Sequence, residues 1–246
     1  MLCRTIFAFV PVLIALQITR TWRQLRTRRP GAQIARGFSM AMAYTCYLQC
    51  IQVLPIADAT AIVFSSPFLV ALAARVLLGE TVPLIRWIAI GLGFLGALVI
   101  VQPGTEAFQP AALWAVGGAI ALAITTLLAR RLGTTEPAPV TSFYTTCAFM
   151  LLGLIPVLTF PGHWAPVSDI EWLMIAAGGL SAGTAHSLII LAYRKGEASL
   201  VAPFEYSSLP IAVVLGYLAF GDIPTLPVAI GIGMIILASV LLARKV

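Results

Sequence analysis

Nine apolar runs of about 20 residues, separated by short stretches of Pro, Gly and charge, leave this chain few ways to fold. They cover residues 2–18, 34–53, 58–78, 84–102, 111–129, 140–160, 170–192, 198–220 and 225–243. A helix of roughly 20 apolar residues crosses the ~30 Å hydrocarbon layer of a membrane. Only 10% of the 246 residues are charged and 60% are hydrophobic, against about 25% charged in a soluble domain. The chain therefore reads as an all-α polytopic membrane protein with nine predicted transmembrane helices, and its loops are too short to hold a soluble domain. The first run is followed by its basic residues, RTWRQLRTRR, instead of being preceded by them, so it reads as a retained helix and not a secretory signal.

A net charge of +6 and a pI near 9.5 raise the question of a nucleic-acid partner. The distribution of the basic residues answers it. With the N-terminus outside, the inside regions are 19–36, 79–86, 130–139, 193–198 and the C-terminal tail; of the 15 Lys and Arg, only Arg4 falls outside. That asymmetry is the positive-inside signature of membrane topology. It places the C-terminus in the cytoplasm, makes the lipid bilayer the partner, and leaves no need for nucleic acid. The four cysteines, Cys3, Cys46, Cys50 and Cys147, all lie in apolar stretches, and His163 and His186 stand far from the Cys46/Cys50 pair. No metal, disulfide framework or cofactor is expected. Gly91, Gly93 and Gly96 spell GxGxxG in mid-span; without a preceding strand this is helix packing and not a dinucleotide loop. Gly179 and Gly183 read as packing residues in the same way.

The chain also repeats itself. Residues 59–80, ATAIVFSSPFLVALAARVLLGE, resemble 201–222, VAPFEYSSLPIAVVLGYLAFGD, at a constant offset of 142. Ser65 and Ser66 match Ser207 and Ser208, and Gly79-Glu80 matches Gly221-Asp222. Five helices separate the equivalents, an odd number, so matched helices cross the membrane in opposite directions. Inverted repeats of this kind place a substrate site near the midplane and support alternating access. The expected division is 1–104 for the first repeat and 110–246 for the second. Counting back from the second repeat leaves the first one helix short at its N-terminus: either the true start lies upstream or the protein works with nine spans.

The runs PIADATAIVFSSPFLVALAARVLLGE, WIAIGLGFLGALVIVQPG and ASLVAPFEYSSLPIAVVLGYLAFGD resemble the paired EamA-type repeats of the drug/metabolite transporter superfamily over essentially the whole chain. ADATAI together with APFEYSSL is similar to a bacterial subgroup that includes S-adenosylmethionine uptake proteins. The resemblance implies a ten-helix transporter fold with cytoplasmic ends, a bacterial inner-membrane location, and a small metabolite such as an amino acid, nucleotide-type compound, polyamine or drug as cargo.

Among the nine acidic residues, eight fall in or beside loops and Glu205 alone lies within a span, with no basic residue within nine positions on either side. An ionisable group inside a membrane helix is costly and marks a functional site by default. On a continuous helix Ala202, Glu205, Ser208, Leu209, Ala212 and Gly216 would share a face, with Tyr206 and Ser207 beside it. His186 is the other titratable group within an apolar run, about 10 Å from its end at 1.5 Å per residue. Glu205 is at a similar depth, and Gly179, Ala182 and Gly183 leave room beside the imidazole. The offset maps His186 onto Tyr44 but Glu205 onto Val63, so packing symmetry does not account for the acid. Tyr44, Tyr47 and Gln49 on the second span and Ser65 and Ser66 on the third would line the opposite wall. Pro67, Pro203 and Pro210 predict kinks that free carbonyls toward it.

These residues point to a secondary transporter for a small polar or cationic metabolite, with Glu205 as counter-charge or proton carrier and protons or a counter-substrate as the energy source. No GxxxxGK[ST] nucleotide loop is present. A passive channel or structural membrane subunit is the alternative. A membrane-embedded enzyme would need a clustered catalytic set, and one acid and one histidine do not supply it.

Overall fold

The computed structural model describes residues 2–54, 56–104, 110–159, 168–220 and 225–243. Glu106, His163, Gly221, Asp222, Arg244 and Lys245, on which parts of the topology and repeat argument rest, lie outside them. The described residues form eleven helices and no strand: α1 (Leu2–Ile18), α2 (Pro30–Cys50), α3 (Ile56–Val63), α4 (Ser66–Leu77), α5 (Leu84–Val101), α6 (Ala112–Leu132), α7 (Ala138–Thr159), α8 (Asp169–Lys195), α9 (Ala198–Val201), α10 (Ser208–Phe220) and α11 (Leu226–Ala243). Short 3-10 segments occupy Trp22–Leu25 and Ala202–Ser207. All-α, multi-pass architecture is thus observed, but not nine equal spans. Among the described residues, six stretches are long and apolar enough to cross a membrane: Asp58–Leu77, Leu84–Val101, Ala112–Leu132, Ala138–Thr159, Asp169–Lys195 and Ala198–Leu218. Leu2–Ile18 and Leu226–Leu242 are apolar but shorter, and α2, though 21 residues long, carries Gln33, Arg36 and Gln49.

The repeat is written into the element boundaries. Adding 142 to the first residues of α3, α4 and α5 (56, 66, 84) gives 198, 208 and 226, where α9, α10 and α11 begin. Adding it to Val101, the last residue of α5, gives Ala243, the last of α11. The span expected over 58–78 is broken between Val63 and Ser66, and the matching span is unwound at Ala202–Ser207. Two prolines supply the cause. Pro67 and Pro210 have no N–H to give the carbonyls of Val63 and Tyr206 four residues earlier, so the α-helical ladder is interrupted at both places.

The helices group into two compact units, Met1–Ala41 with Leu128–Lys195 and Met42–Leu127 with Gly196–Val246, so each draws on both halves of the sequence. In the first unit α1 packs against α7 and α8. Lipid is as apolar as Leu, so close approach of small residues drives such packing: a Cβ on Gly179 or Gly183 would strike the α1 backbone and Phe7 or Pro11. Val12, Leu16 and Val140 form the buried centre, flanked by Leu25, Phe143 and Tyr144. At the end of this unit, Glu136 Oε1 accepts from Thr27 Oγ1 (2.8 Å) and the Arg28 amide (2.9 Å), and Arg194 Nε donates to the Gly133 carbonyl at 3.0 Å. Loops 19–36, 130–139 and 193–198, all assigned to one side of the membrane, therefore meet.

In the second unit α5 and α11 pack along their length. Ala89 sits with Ala238 and Leu242, while a Cβ on Gly96 would lie 2.8 Å from the Gly231 carbonyl and one on Gly231 2.6 Å from Ile100. Rising numbers on α5 meet falling numbers on α11, so these repeat-equivalent helices run antiparallel, the arrangement inverted repeats require. At one end of the unit Gly79, with φ +68°, turns the chain so that Glu80 reaches α9. Its carboxylate accepts from the amides of Ala198 (3.0 Å) and Ser199 (3.2 Å), capping that helix. Arg86 forms an ion pair with Glu197 and donates to Ser199 Oγ at 2.8 Å.

Candidate functional site

The two interrupted helices of the second unit lie against each other. Where a continuous helix would send the Phe68 amide to the Phe64 carbonyl, that amide bonds to Ser65 instead, at 3.1 Å. The Phe64 carbonyl is left free, and Tyr206 Oη donates to it at 3.0 Å. Phe64 and Tyr206 are repeat equivalents, 142 positions apart, and their rings stack at 5.9 Å. Residues that are equivalent and touching lie on the axis relating the repeats. Tyr206 is fully buried with Ala97 and Ile235. It fits because position 93 has no side chain: a Cβ on Gly93 would come within 2.6 Å of its ring. Gly93 and Gly96 of the GxGxxG string are packing residues, as expected, whereas Gly91 faces open space.

Glu205 adjoins this contact, half-buried, inside the unwound segment between Pro203 and Ser208. Its carbonyl accepts from Ser208 Oγ at 2.7 Å. Of the face expected from α-helical spacing, Ala202, Glu205 and Ser208, spaced by three, keep one side of the 3-10 winding, which repeats every three residues, whereas Leu209, Ala212 and Gly216 belong to the α-helix that follows. On the partner break, Ser65 is half-buried and Ser66 Oγ is buried without a hydrogen-bond partner. Tyr47 Oη shares a hydrogen bond of 3.2 Å with Thr60 Oγ1 of α3. Tyr44 is half-buried, and Gln49 is exposed. The structure thus brings together Glu205, Tyr206, Ser208 and the Phe64–Ser66 break in one unit.

His186 belongs to the other unit, on α8. Its Nε2 is buried and has no hydrogen-bond partner. The room expected beside it is not there, because α1 fills the space at Gly179 and Gly183. Two residues that the sequence places at the ends of spans, beside loops, prove to be buried. Asp58, 2% exposed, sits in the first turn of α3, where a carboxylate favours the helix N-terminus, and accepts from the Gly104 amide at 2.5 Å. Arg36, also 2% exposed, is seven residues into α2. The signal was present for both: Pro30 marks a helix start well before Arg36, and Asp58 opens an apolar run at the first-turn position.

Antiparallel repeats whose matched helices break at matched positions and leave polar groups in the breaks have the architecture of a membrane carrier. The chain belongs to the EamA-like transporter family, whose model matches residues 1–102 and 109–244. It is 29% identical over 235 residues to a protein named riboflavin transporter from Vibrio cholerae, covering 94% of this chain and 77% of that one. A riboflavin transporter from Rhizobium johnstonii is 30% identical over 225 residues, with 90% and 72% covered. An S-adenosylmethionine uptake transporter from Rickettsia conorii is 27% identical over 200 residues, covering 81% and 67%. A solved crystal structure superposes with a TM-score of 0.83 at 23% identity, covering 99% of this chain and 86% of the other; it speaks to the fold alone. The chain is therefore a multi-pass membrane transporter and not an enzyme.

Proposed function

We propose that this protein is a secondary active transporter that moves a small polar or cationic metabolite across a bacterial cytoplasmic membrane by alternating access, with its C-terminus in the cytoplasm. The observation that carries the reading is the pair of helix interruptions at repeat-matched positions, joined by Tyr206 and Phe64, with the carboxyl of Glu205 in one of them. Discontinuous helices present unpaired backbone groups and a charge at membrane depth, and carriers use such groups to hold cargo and coupling ions. Glu205 is the counter-charge or proton carrier. Tyr44, Tyr47, Gln49, Ser65, Ser66, Tyr206, Ser208 and His186 are the further candidates for polar contact with the solute. The relatives named for riboflavin and S-adenosylmethionine uptake support a metabolite of that size and polarity, and a carboxylate favours the cationic one.

The test is uptake into proteoliposomes of S-adenosylmethionine, riboflavin and amino acids, with and without a pH gradient. Glu205→Gln is expected to lower the rate at least about tenfold, the factor that follows from losing ~1.4 kcal/mol of stabilisation, while the variant still inserts in the membrane. Unaltered kinetics at every pH would remove Glu205 from the mechanism. Wild-type vesicles that accumulate none of these solutes would refute the transport reading for this class of cargo.

A further inference from the structure

The first unit contains a fixed positive charge with no ion-pair partner among the described residues. Arg36 of α2 is 2% exposed; its Nη1 donates to Thr145 Oγ1 of α7, and its Nε is buried without a partner. No ion pair to Arg36 exists among the described residues. Glu136, which lies in the same unit, is engaged by Thr27 and Arg28. A guanidinium stays protonated at every accessible pH, so burial cannot be relieved by losing the proton. Buried charges are ordinarily held by a counter-charge.

The polar groups around Arg36 share its unsatisfied state. Of the five buried side-chain nitrogen and oxygen atoms without a partner among the described residues, four are in this unit: Gln33 Oε1, Arg36 Nε, Ser142 Oγ and His186 Nε2. They are linked. Gln33 Nε2 donates to Thr141 Oγ1 at 3.3 Å, Thr145 Oγ1 donates to the Thr141 carbonyl at 2.9 Å, and Ser142 adjoins Thr141. Gln33 and Arg36 are three apart on α2, as Ser142 and Thr145 are on α7, so each pair shares a helix face. His186, with its own buried and unpartnered Nε2, lies on α8 of the same unit.

All four atoms can be donors. Arg36 Nε–H and the Ser142 hydroxyl donate as they stand, and His186 does so in the Nε2–H tautomer. Turning the Gln33 amide over exchanges its oxygen for its NH2 and keeps the Thr141 bond, now with the threonine hydroxyl donating. Four available donors, one permanently cationic, and no carboxylate are the complement of a group that only accepts and carries negative charge. Water would fill the hydrogen bonds but leave the charge unopposed.

We propose that Arg36, with Gln33, Ser142 and His186, receives the carboxylate of the transported solute, so that the cargo is a carboxylate-bearing metabolite. This rests on the transporter reading above. The group is closed off here, and the solute reaches it in a state in which α2 has moved from α7.

The experiment measures binding to the purified full chain by the shift in its thermal unfolding midpoint, alongside uptake. Probes are paired to differ at the carboxylate alone: S-adenosylmethionine against decarboxylated S-adenosylmethionine, and methionine against methioninamide, with riboflavin as a solute lacking the group. The wild type is expected to bind at least one carboxylate member at least about tenfold more tightly than its partner, Arg36→Gln to abolish the preference, and Arg36→Lys to retain part of it. If Arg36→Gln does not fold, Gln33→Leu and Ser142→Ala are each expected to reduce the preference several-fold. No preference in the wild type, or one that survives in these variants, overturns the proposal. Uptake of riboflavin with no carboxylate preference would overturn it while leaving transport standing. An Arg36-dependent preference with no uptake of any solute would leave a carboxylate site but overturn transport, and with it the assignment of that carboxylate to a cargo.

Discussion

At the scale of single residues, the consequential groups are those whose hydrogen bonding departs from the helix around them. Tyr206 Oη occupies a carbonyl that the break at Phe64 sets free, and a neutral hydrogen bond of this kind contributes about 0.5–1.5 kcal/mol. Tyr206→Phe is expected to lower stability by that amount, read as a lower unfolding midpoint in detergent, with the protein still folded because the buried ring is kept. An unchanged midpoint would show that the Phe64 carbonyl finds another donor. The sequence made Glu205 visible because one acid in a long apolar run stands out. Arg36 stayed hidden because it lies near the end of its run, where a charge is readily assigned to the adjoining loop. Its position is decided by the helix starting at Pro30, and its environment by α7, which no local pattern records.

At the scale of elements, the repeat could be read directly: the offset of 142 found in the residues is the offset between the starts of α3 and α9, α4 and α10, and α5 and α11. The interruptions could not. Apolar residues resume on both sides of each break, so each span reads as one run, and the prolines announce a kink without saying whether the helix bends, breaks or rewinds as 3-10. The close helix pair α5 and α11 offers a test. Gly96→Leu would force a side chain against the Gly231 backbone and is expected to cost about 1–3 kcal/mol, as overpacking does. Gly91→Ala, with nothing within 4 Å of the added carbon, is expected to be neutral or stabilising, and equal losses in the two variants would refute the packing assignment. Glu80→Ala removes the cap on α9 and is expected to cost about 1 kcal/mol; a melting curve coincident with wild type would refute the cap's contribution.

At the scale of the whole molecule, charge asymmetry predicts the topology and the structure adds the meeting of loops within each unit. Reporter fusions at residues 27, 134 and 246 are expected on the cytoplasmic side, and a reporter at 105 on the opposite side. A fusion at 27 facing away from one at 134 would contradict the bonds from Thr27 and Arg28 to Glu136. What composition and repeats could not disclose is that the compact units cut across the repeats, for they reveal which segments are alike and not which segments touch. The Phe64–Tyr206 contact carries a mechanical implication. If two inverted copies trade shapes during each cycle, a point shared by equivalent residues is carried onto itself, so it serves as the fulcrum and stays closed throughout. Damage there would weaken the carrier in both of its facings alike, with no bias toward either side of the membrane.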